Sequence, residues 1–230
     1  MTNTLLEPVE RVRLMVIGVQ KGGTTSLSNY LAEHPSVLDP LCVEFTFFTD
    51  AEEHGRGEAA YWARFYPKGP HNGKSPVAKM STLYCSVDGL TRLRAHAPDC
   101  HLALVLRDPV SRAFSAYRMA CFDGWLDFDP QWLRRLVEDG APGVGLFDMF
   151  IRYGYYAHHL EQLYSIFPRE QVHVFRFEDL QRDPQQVCDV LFRSVGLAAH
   201  TLKGKEKVHN ETVMARSDLA ARFIHWLRVE

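Results

Sequence analysis

A polar loop near the start of the chain has the residue types that bind anions. Its residues are, in order, Lys21, Gly22, Gly23, Thr24, Thr25 and Ser26. An apolar run over residues 13–19 comes before the loop and predicts a buried strand. The glycines permit a sharp turn, and the hydroxyl residues predict the start of a helix. A strand, a turn and a helix start direct unpaired N–H groups at one point, so we expect an anion to bind there.

The order of residues in this loop distinguishes it from the Walker loop. A Walker loop places its Lys and its Ser or Thr after the final glycine, and the hydroxyl holds Mg²⁺. Here Lys21 precedes both glycines. That order resembles the loop of the sulfotransferase family, Lys-x-Gly-Thr-Thr/Ser after a strand, which holds the 5′-phosphosulfate of 3′-phosphoadenosine 5′-phosphosulfate (PAPS). Taken alone, the loop is also compatible with a turn that only caps a helix.

A second stretch with anion-binding residue types begins at Arg107. The apolar run 101–106 before it is typical of a central strand. Ligands bind at the carboxyl ends of such strands in open parallel sheets. Pro109 favours a helix start, and we predict that Ser111 caps this helix.

The stretch Arg107–Tyr117 closely resembles the 3′-phosphate motif of the sulfotransferase family. The resemblance implies that Arg107 and Ser115 bind the 3′-phosphate of PAPS. A planar guanidinium group and a hydroxyl near a helix start suit that role. The alternative is that Arg107 and Asp108 form only a structural pair at the end of the strand.

A single carboxylate, Glu44, interrupts the apolar segment 42–48. A carboxylate among phenylalanines is seldom buried unless it is paired or used in chemistry. In the branch of sulfotransferases that includes the heparan sulfate enzymes, a Glu shortly before a Phe-Phe pair is the catalytic base, and Glu44 resembles it. Those relatives commonly carry Lys before the Glu, where this chain has Val43. An exposed Glu on a strand edge is one alternative, and His54 or His71 as the base is another.

Two further lysines are assigned by resemblance. Residues 79–84, Lys-Met-Ser-Thr-Leu-Tyr, are similar to a Lys-x-Ser-Pro-x-Tyr stretch of sulfotransferases, so we predict Lys79 as a substrate-site residue. A surface Lys on an edge strand is the alternative. Relatives close the cofactor site with a basic, Gly-containing loop. The sequence from Lys203 to Lys205 is Lys-Gly-Lys, so we predict Lys205 in a lid over the adenosine and the 3′-phosphate, with a solvated lysine cluster as the alternative.

The resemblance implies in-line transfer of a sulfuryl group from PAPS to a hydroxyl or amine of a small-molecule or glycan acceptor. Sulfuryl transfer, like phosphoryl transfer, requires positioning and neutralisation of charge on the leaving oxygen. Lys21 would supply that neutralisation, and Glu44 would accept the proton of the acceptor. We predict no metal, because the leaving bisphosphate has protein donors and the sequence contains no Asp/Glu or His/Cys set with ligand spacing.

Two other functions also use nucleotide-binding loops. A P-loop nucleotide kinase requires a Ser or Thr directly after the Lys and a strand that ends in a carboxylate for Mg²⁺, and the sequence has neither as required. A non-catalytic nucleotide-binding module is compatible with the same loops if Glu44 is structural. The resemblance covers roughly the whole chain but leaves the acceptor open, because acceptor pockets are built from variable loops.

The composition indicates one soluble domain. A chain of 230 residues with 46% hydrophobic content can form one well-buried domain, 1–230. The net charge of -2 argues against a nucleic-acid or anionic membrane surface. Five cysteines without CxxC spacing favour reduced thiols, and we find neither a signal peptide nor an apolar run of membrane-spanning length. We therefore expect a cytoplasmic protein.

Alternating strand and helix patterns predict an α/β fold, a three-layer sandwich with a central parallel sheet. The resemblance implies the P-loop-like sulfotransferase fold. We predict strands over residues 13–19, 36–38, 77–81 and 101–106, and one that begins at 171 and runs through 176–180. We predict a helix that ends before Pro35, helices over 58–66, 87–93, 131–138, 146–167, 185–195 and 217–230, and a loop over 51–57.

Overall fold

A parallel sheet organises the computed structural model, which describes residues 11–40, 43–66, 73–126, 129, 131, 134, 138 and 144–203. Within these residues the strands are β1 (Leu14–Gly18), β2 (Val37–Leu38), β3 (Ser75–Lys79), β4 (His101–Leu106) and β5 (Val172–Arg176). The α-helices are α1 (Thr24–Ala32), α2 (Ala51–Gly55), α3 (Gly57–Phe65), α4 (Val87–His96), α5 (Pro109–Phe122), α6 (Val144–Phe150), α7 (Tyr156–Ile166), α8 (Phe177–Arg182) and α9 (Pro184–Ser194). Short 3₁₀ turns lie at Thr46–Phe48, Leu83–Cys85, Arg152–Gly154 and Arg169–Gln171.

The strand order is β2-β3-β1-β4-β5, and every described pair of neighbours is parallel. β1 therefore lies in the middle of the sheet, where Val16 pairs with Lys79 of β3 and with Ala103 of β4. The carboxyl ends of parallel strands meet at one edge of a sheet, which is where such folds bind ligands. The residues that follow β1, β2 and β3 consequently share that edge, and the predicted α/β fold with a central parallel sheet is confirmed.

The side chains of β1 alternate between two packed faces of the sheet. Leu14 and Val16 belong to one core cluster with helices α1 and α9. Those helices contribute Leu27, Tyr30, Leu31, Val187, Cys188, Leu191 and Phe192. Met15 and Ile17 point to the opposite face and are also fully buried. Burial on both faces is expected of a parallel sheet covered by helices.

The described residues form two compact units. The first contains the sheet and is made of the described residues up to Leu106 and from Tyr156 onward. The second is made of those from Arg107 to Tyr155, and α5 and α6 share a core in it that includes Tyr117 and Phe150. The single-domain organisation of 1–230 stays a prediction. No helix in the described part of the chain is both long enough and apolar enough to cross a membrane.

The single helix predicted over 146–167 is wrong, because the chain forms α6, a 3₁₀ turn and α7. The side chain of Arg112, on α5, is fully buried. Its guanidinium group donates to the carbonyl oxygens of Met149, at 2.9 Å, and Phe150, at 2.5 Å. Carbonyls in the last turn of a helix have no partner within the helix. A side chain from another helix therefore satisfies the open end of α6, and the helix ends there.

The strand predicted from 171 through 180 is shorter than expected. β5 ends at Arg176, and Phe177 begins α8. In the first turn of α8, Asp179 accepts a hydrogen bond from Nε of Arg176 at 2.9 Å, and acidic side chains favour that end of a helix. Phe177 and Leu180 both lie against Gly23. Residues three apart lie on the same face of a helix, so both side chains reach Gly23. In a strand, residues three apart would point to opposite faces.

The loop predicted over 51–57 is also wrong in part, because α2 occupies Ala51–Gly55. The carboxylate of Asp50 accepts hydrogen bonds from the amides of Glu52, at 2.9 Å, and Glu53, at 3.0 Å. An aspartate that accepts from the first amides of a helix stabilises its start. The polar composition that suggested a loop is therefore that of a capped, exposed helix.

The remaining predictions agree with the structure or lie outside it. The helices predicted after the loop and over 58–66, 87–93 and 185–195 are present as α1, α3, α4 and α9. The strand predicted over 77–81 is present as β3, which begins and ends two residues earlier, at Ser75 and Lys79. The helix predicted over 217–230 lies outside the described residues, and so does most of the one predicted over 131–138.

Candidate active site

The predicted anion loop leaves the sheet at its centre, after β1. The amide of Val19 donates to the carbonyl of Val105 on β4 at 3.2 Å, and the amide of Gly22 donates to the carbonyl of Val19 at 2.8 Å. Lys21 has a φ of 69°, in the left-handed region that residues other than glycine seldom adopt. The chain therefore reverses at Lys21 while its backbone stays bonded to the neighbouring strand, and α1 begins at Thr24.

Both glycines of the loop stand where a side chain has no room. A Cβ atom on Gly22 would lie 2.5 Å from the carbonyl oxygen of Val105. Gly23 has a φ of 87°, and its Cβ atom would lie 3.1 Å from the ring of Phe177 and 3.2 Å from the side chain of Leu180. The loop thus depends on glycine for close packing at both positions and for backbone conformation at Gly23.

The start of α1 is not capped by a side chain, because Gly23 occupies the capping position. The amide of Leu27 donates to the carbonyl of Gly23 at 3.0 Å. The amides from Thr24 to Ser26 precede it, and the first amides of a helix have no acceptor within the helix. The first turn of α1 contains no acidic residue. The positive end of the helix and its amides therefore suit a phosphate or sulfate group.

Glu44 lies in the segment that leads into the 3₁₀ turn before α2, and it is not on a strand. The amide of Phe45 donates to the carbonyl of Lys79 at 2.7 Å, which holds this segment beside the end of β3. The hydroxyl of Thr46 donates to Oε2 of Glu53 at 2.6 Å and ties the same segment to α2. The alternative of an exposed Glu on a strand edge is therefore wrong.

Among the described residues, Lys79 and Ser81 donate three hydrogen bonds to the carboxylate of Glu44. Nζ of Lys79 lies 2.6 Å from Oε1, and the hydroxyl of Ser81 lies 3.0 Å from the same oxygen. The amide of Ser81 donates to Oε2 at 2.7 Å. The side chain of Glu44 remains 36% exposed, so its carboxylate is bound on one side and accessible on the other. Sequence reasoning did not select Ser81, although its hydroxyl in the motif 79–84 was the available signal.

Lys79 is the last residue of β3, an internal strand between β2 and β1. Its side chain is only 5% exposed, so the alternative of a surface Lys on an edge strand is wrong. Asp39 follows β2 directly. Although part of that residue is exposed, burial of its carboxyl raises the pKa of Asp39, and the nearby Lys79 ammonium partly offsets the rise. Lys79 is therefore within electrostatic reach of two carboxylates, Glu44 and Asp39.

The described histidines His54 and His96 differ in their surroundings. His54, on α2, packs against the ring of Phe47 with ring centroids 5.1 Å apart. His71 lies outside the described residues. Burial lowers the pKa of His96 to about 4, so its ring is neutral at pH 7. The 3.3 Å contact between Nδ1 of His96 and Oε1 of Glu58 is therefore not an ion pair at that pH.

The second predicted motif begins at Arg107, directly after β4, and α5 begins at Pro109. Asp108 caps α5, because its Oδ1 accepts from the amide of Ser111 at 2.8 Å. The prediction that Ser111 is the cap is therefore wrong, and an aspartate is equally suited to this position. Hydrogen bonds from Ser111 lower the pKa of Asp108, and the charge of Arg107 acts in the same direction. Ser115 is half-buried on the second turn of α5.

Several predicted site residues meet at one edge of the sheet. Glu44 and Lys79 are in contact after β3, and Lys21 follows the neighbouring strand β1. Lys205 lies outside the described residues. Within the residues that the structure describes, no three His, Cys, Asp or Glu side chains form a group suited to holding a metal ion.

Comparison with known proteins identifies relatives over most of the chain. The model of the sulfotransferase domain family matches residues 11–216. Human heparan sulfate glucosamine 3-O-sulfotransferase 6 is 30% identical over 170 residues, which cover 74% of this chain and 48% of the relative. The bifunctional heparan sulfate N-deacetylase/N-sulfotransferase of Drosophila melanogaster is 27% identical over 201 residues, 79% of this chain and 19% of the relative. The chain thus spans about half the length of the first relative and about a fifth of the second.

Comparison with solved structures gives the same fold. The sulfotransferase from Alicyclobacillus acidocaldarius superposes with a TM-score of 0.67 at 25% identity, covering 95% of this chain and 92% of that one. The sulfotransferase domain from the curacin biosynthetic pathway superposes with a TM-score of 0.59 at 15% identity, covering 92% and 82%, and shares the fold. The predicted P-loop-like sulfotransferase fold is therefore confirmed. On the family match over most of its length, the chain belongs to the sulfotransferase domain family.

Proposed function

We propose that this protein transfers a sulfuryl group from PAPS to a hydroxyl or amine of a small-molecule or glycan acceptor. The observation that carries the proposal is the anion loop from Lys21 to Ser26, which leads from a central parallel strand into an uncapped helix. It lies within the part of the chain that matches the sulfotransferase domain family, a family whose donor is PAPS.

The donor's charged groups are assigned to residues of suitable chemistry. Amides from Gly22 to Ser26 would bind the 5′-phosphate, and the hydroxyls of Thr24 and Thr25 would assist. The conformation of the loop and the absence of an acidic residue in the first turn of α1 support this assignment. Arg107 and Ser115 would bind the 3′-phosphate, as the family motif implies, and Lys205 would contribute from a lid.

The reaction requires one proton acceptor and one charge stabiliser. The oxygen of the acceptor forms a bond to sulfur, while the bond between sulfur and the 5′-phosphate oxygen breaks. Glu44 would take the proton of the acceptor hydroxyl, and Lys21 would stabilise the negative charge that develops on the departing phosphate. The accessible side of the Glu44 carboxylate supports its role as the base.

The proposal includes several classes of acceptor but a single donor. Alcohols, phenols, amines and sugars all carry a group that Glu44 is able to deprotonate. The names of the two curated relatives refer to heparan sulfate, which makes a glucosamine-containing glycan one candidate. A screen of these acceptor classes with radiolabelled PAPS identifies the acceptor directly, by transfer of label.

Donor binding is tested without an acceptor. We expect calorimetry to detect saturable binding of PAPS and of 3′,5′-bisphosphoadenosine in the presence of EDTA, because Lys21, Arg107 and Ser115 supply charge and donors that Mg²⁺ supplies in kinases. ATP serves as the comparison ligand. Binding that disappears with the chelator, or a preference for ATP over PAPS, would overturn the proposed function.

A further inference from the structure

The contact between Lys79 and Glu44 has no role in the reaction as proposed so far. Sequence reasoning placed Lys79 at the substrate site, yet its ammonium is buried and donates to Oε1 of Glu44 at 2.6 Å. A buried charge is costly to leave without a partner of opposite sign. The position of Lys79 is therefore better explained by the carboxylate of Glu44 than by an acceptor molecule.

We propose that Lys79 is a positioning residue that holds the Glu44 carboxylate in one orientation, with Ser81 as its partner in that task. The inference rests on the proposed function, in which Glu44 is the base. It replaces the prediction that Lys79 contacts the substrate.

The three hydrogen bonds determine which part of Glu44 is left for the acceptor. A carboxylate offers about four lone-pair positions, two on each oxygen. Oε1 accepts from both Lys79 and the Ser81 hydroxyl, while Oε2 accepts, among the residues that the structure describes, only from the Ser81 amide. With respect to those residues one position on Oε2 remains, and it is the position that takes the proton of the acceptor.

The contact is tested without an acceptor by NMR at one fixed pH, with protein labelled with ¹³C-glutamate. The Glu44 carboxyl signal is identified as the one lost in Glu44→Gln. In Lys79→Met we expect this signal to move, because Oε1 of Glu44 loses its charged donor. Lys79→Arg should return the signal most of the way to its original position. Lys74→Met is the matched control, because Lys74 is exposed and precedes the other end of β3.

A double-mutant cycle separates positioning from direct substrate contact. With the acceptor found in the radiolabel screen, Lys79→Met should lower kcat by about 10-fold or more while the KM for PAPS stays within about 2-fold, because an interaction made through the base acts on turnover. In the Glu44→Gln background the same substitution should have no further effect. Equal losses in both backgrounds would assign Lys79 to the substrate and overturn the inference.

A third variant keeps the test decisive if Lys79→Met does not fold. Ser81→Ala removes only the hydroxyl that donates to Oε1, and we expect a smaller movement of the Glu44 signal. A signal that stays in place in Ser81→Ala, or in Lys79→Met where it folds, would refute the inference. Failure of the proposed function is distinguishable, because it would appear as full turnover in Glu44→Gln or as absent PAPS binding, and neither depends on the NMR signal.

Discussion

The ring of Phe177 lies against Gly23 of the anion loop, and a Cβ atom on Gly23 would lie 3.1 Å from Cε2 of that ring. The two residues are on different elements, since Gly23 precedes α1 and Phe177 begins α8. The contact links the anion loop to the start of α8, which directly follows β5. It also makes the loop sensitive to any added side chain.

We predict that Gly23→Ala lowers both stability and donor affinity. Its φ of 87° costs an alanine about 1–2 kcal/mol, and the contacts with Phe177 and Leu180 add to that cost. Two other glycines are controls that separate the cost of the backbone conformation from the cost of the side-chain contacts. Gly57 has a φ of 80° and open space around it, so Gly57→Ala should lose only the conformational part, and Gly55→Ala should change stability by less than about 0.5 kcal/mol.

The measurement is the free energy of unfolding from urea titration for all three variants. We expect the losses to follow the order Gly23→Ala, Gly57→Ala, Gly55→Ala, from largest to smallest. Equal losses for the first two would show that the Phe177 contact contributes nothing. Calorimetry with 3′,5′-bisphosphoadenosine should show weaker binding for Gly23→Ala alone.

Glu44→Gln should lower turnover by about 10²–10⁴-fold, the usual range for one general base. The substitution keeps the shape of the side chain and removes its ability to take a proton, so donor affinity should be nearly unchanged. Glu52→Gln is the control, since Glu52 is exposed and pairs with Arg56 on α2. Near-normal turnover in Glu44→Gln, with activity abolished by His54→Ala or His71→Ala, would move the base to that histidine.

Arg107→Ala should weaken binding of 3′,5′-bisphosphoadenosine by on the order of 2–5 kcal/mol, the scale for truncating one partner of a buried charge pair. Arg193, exposed in the last turn of α9, is the control, and Arg193→Ala should leave the affinity unchanged. Calorimetry at fixed salt measures both. If Arg107→Ala binds as tightly as the unmodified protein, Arg107 has no part in the site.

His96 should make stability depend on pH between about 4 and 6.5. Burial is the main cause of its lowered pKa of about 4, and the charge of Arg11 adds to it. The unfolded chain binds a proton near pH 6.5 and the folded protein does not, so stability falls as the pH drops through this window. At about 1.4 kcal/mol per pH unit, the loss is roughly 3 kcal/mol.

His96→Gln removes that titration, and its free energy of unfolding should be flatter than that of the unmodified protein between pH 6.5 and 4.5. Urea titrations at several pH values measure the difference. His158→Gln is the control, because His158 is exposed on α7 and its replacement should leave the slope unchanged. If the free energy of unfolding of His96→Gln changes with pH as steeply as that of the unmodified protein, His96 does not contribute to the pH dependence of stability in this range.

Local features of the sequence were sufficient to predict the loop and most elements around it. An apolar run, two adjacent glycines and an amphipathic segment act on neighbouring residues, through backbone conformation and helical spacing. The strand, turn and helix at 13–31 were predicted for that reason and are present. The alternation of strands and helices likewise predicted a parallel sheet, because a parallel pair needs a crossover segment.

Only the tertiary structure decided where α6 ends and which polar groups pair. The end of α6 depends on Arg112, whose donors reach carbonyls 37 and 38 residues away. Glu44 meets Lys79 and Ser81 across 35 and 37 residues of chain. Such contacts depend on how the strands align and which faces pack, and a pattern of neighbouring residues carries no information about either. Local conformation was therefore readable from the sequence, whereas the hydrogen bonds that orient Glu44 exist only in the folded chain.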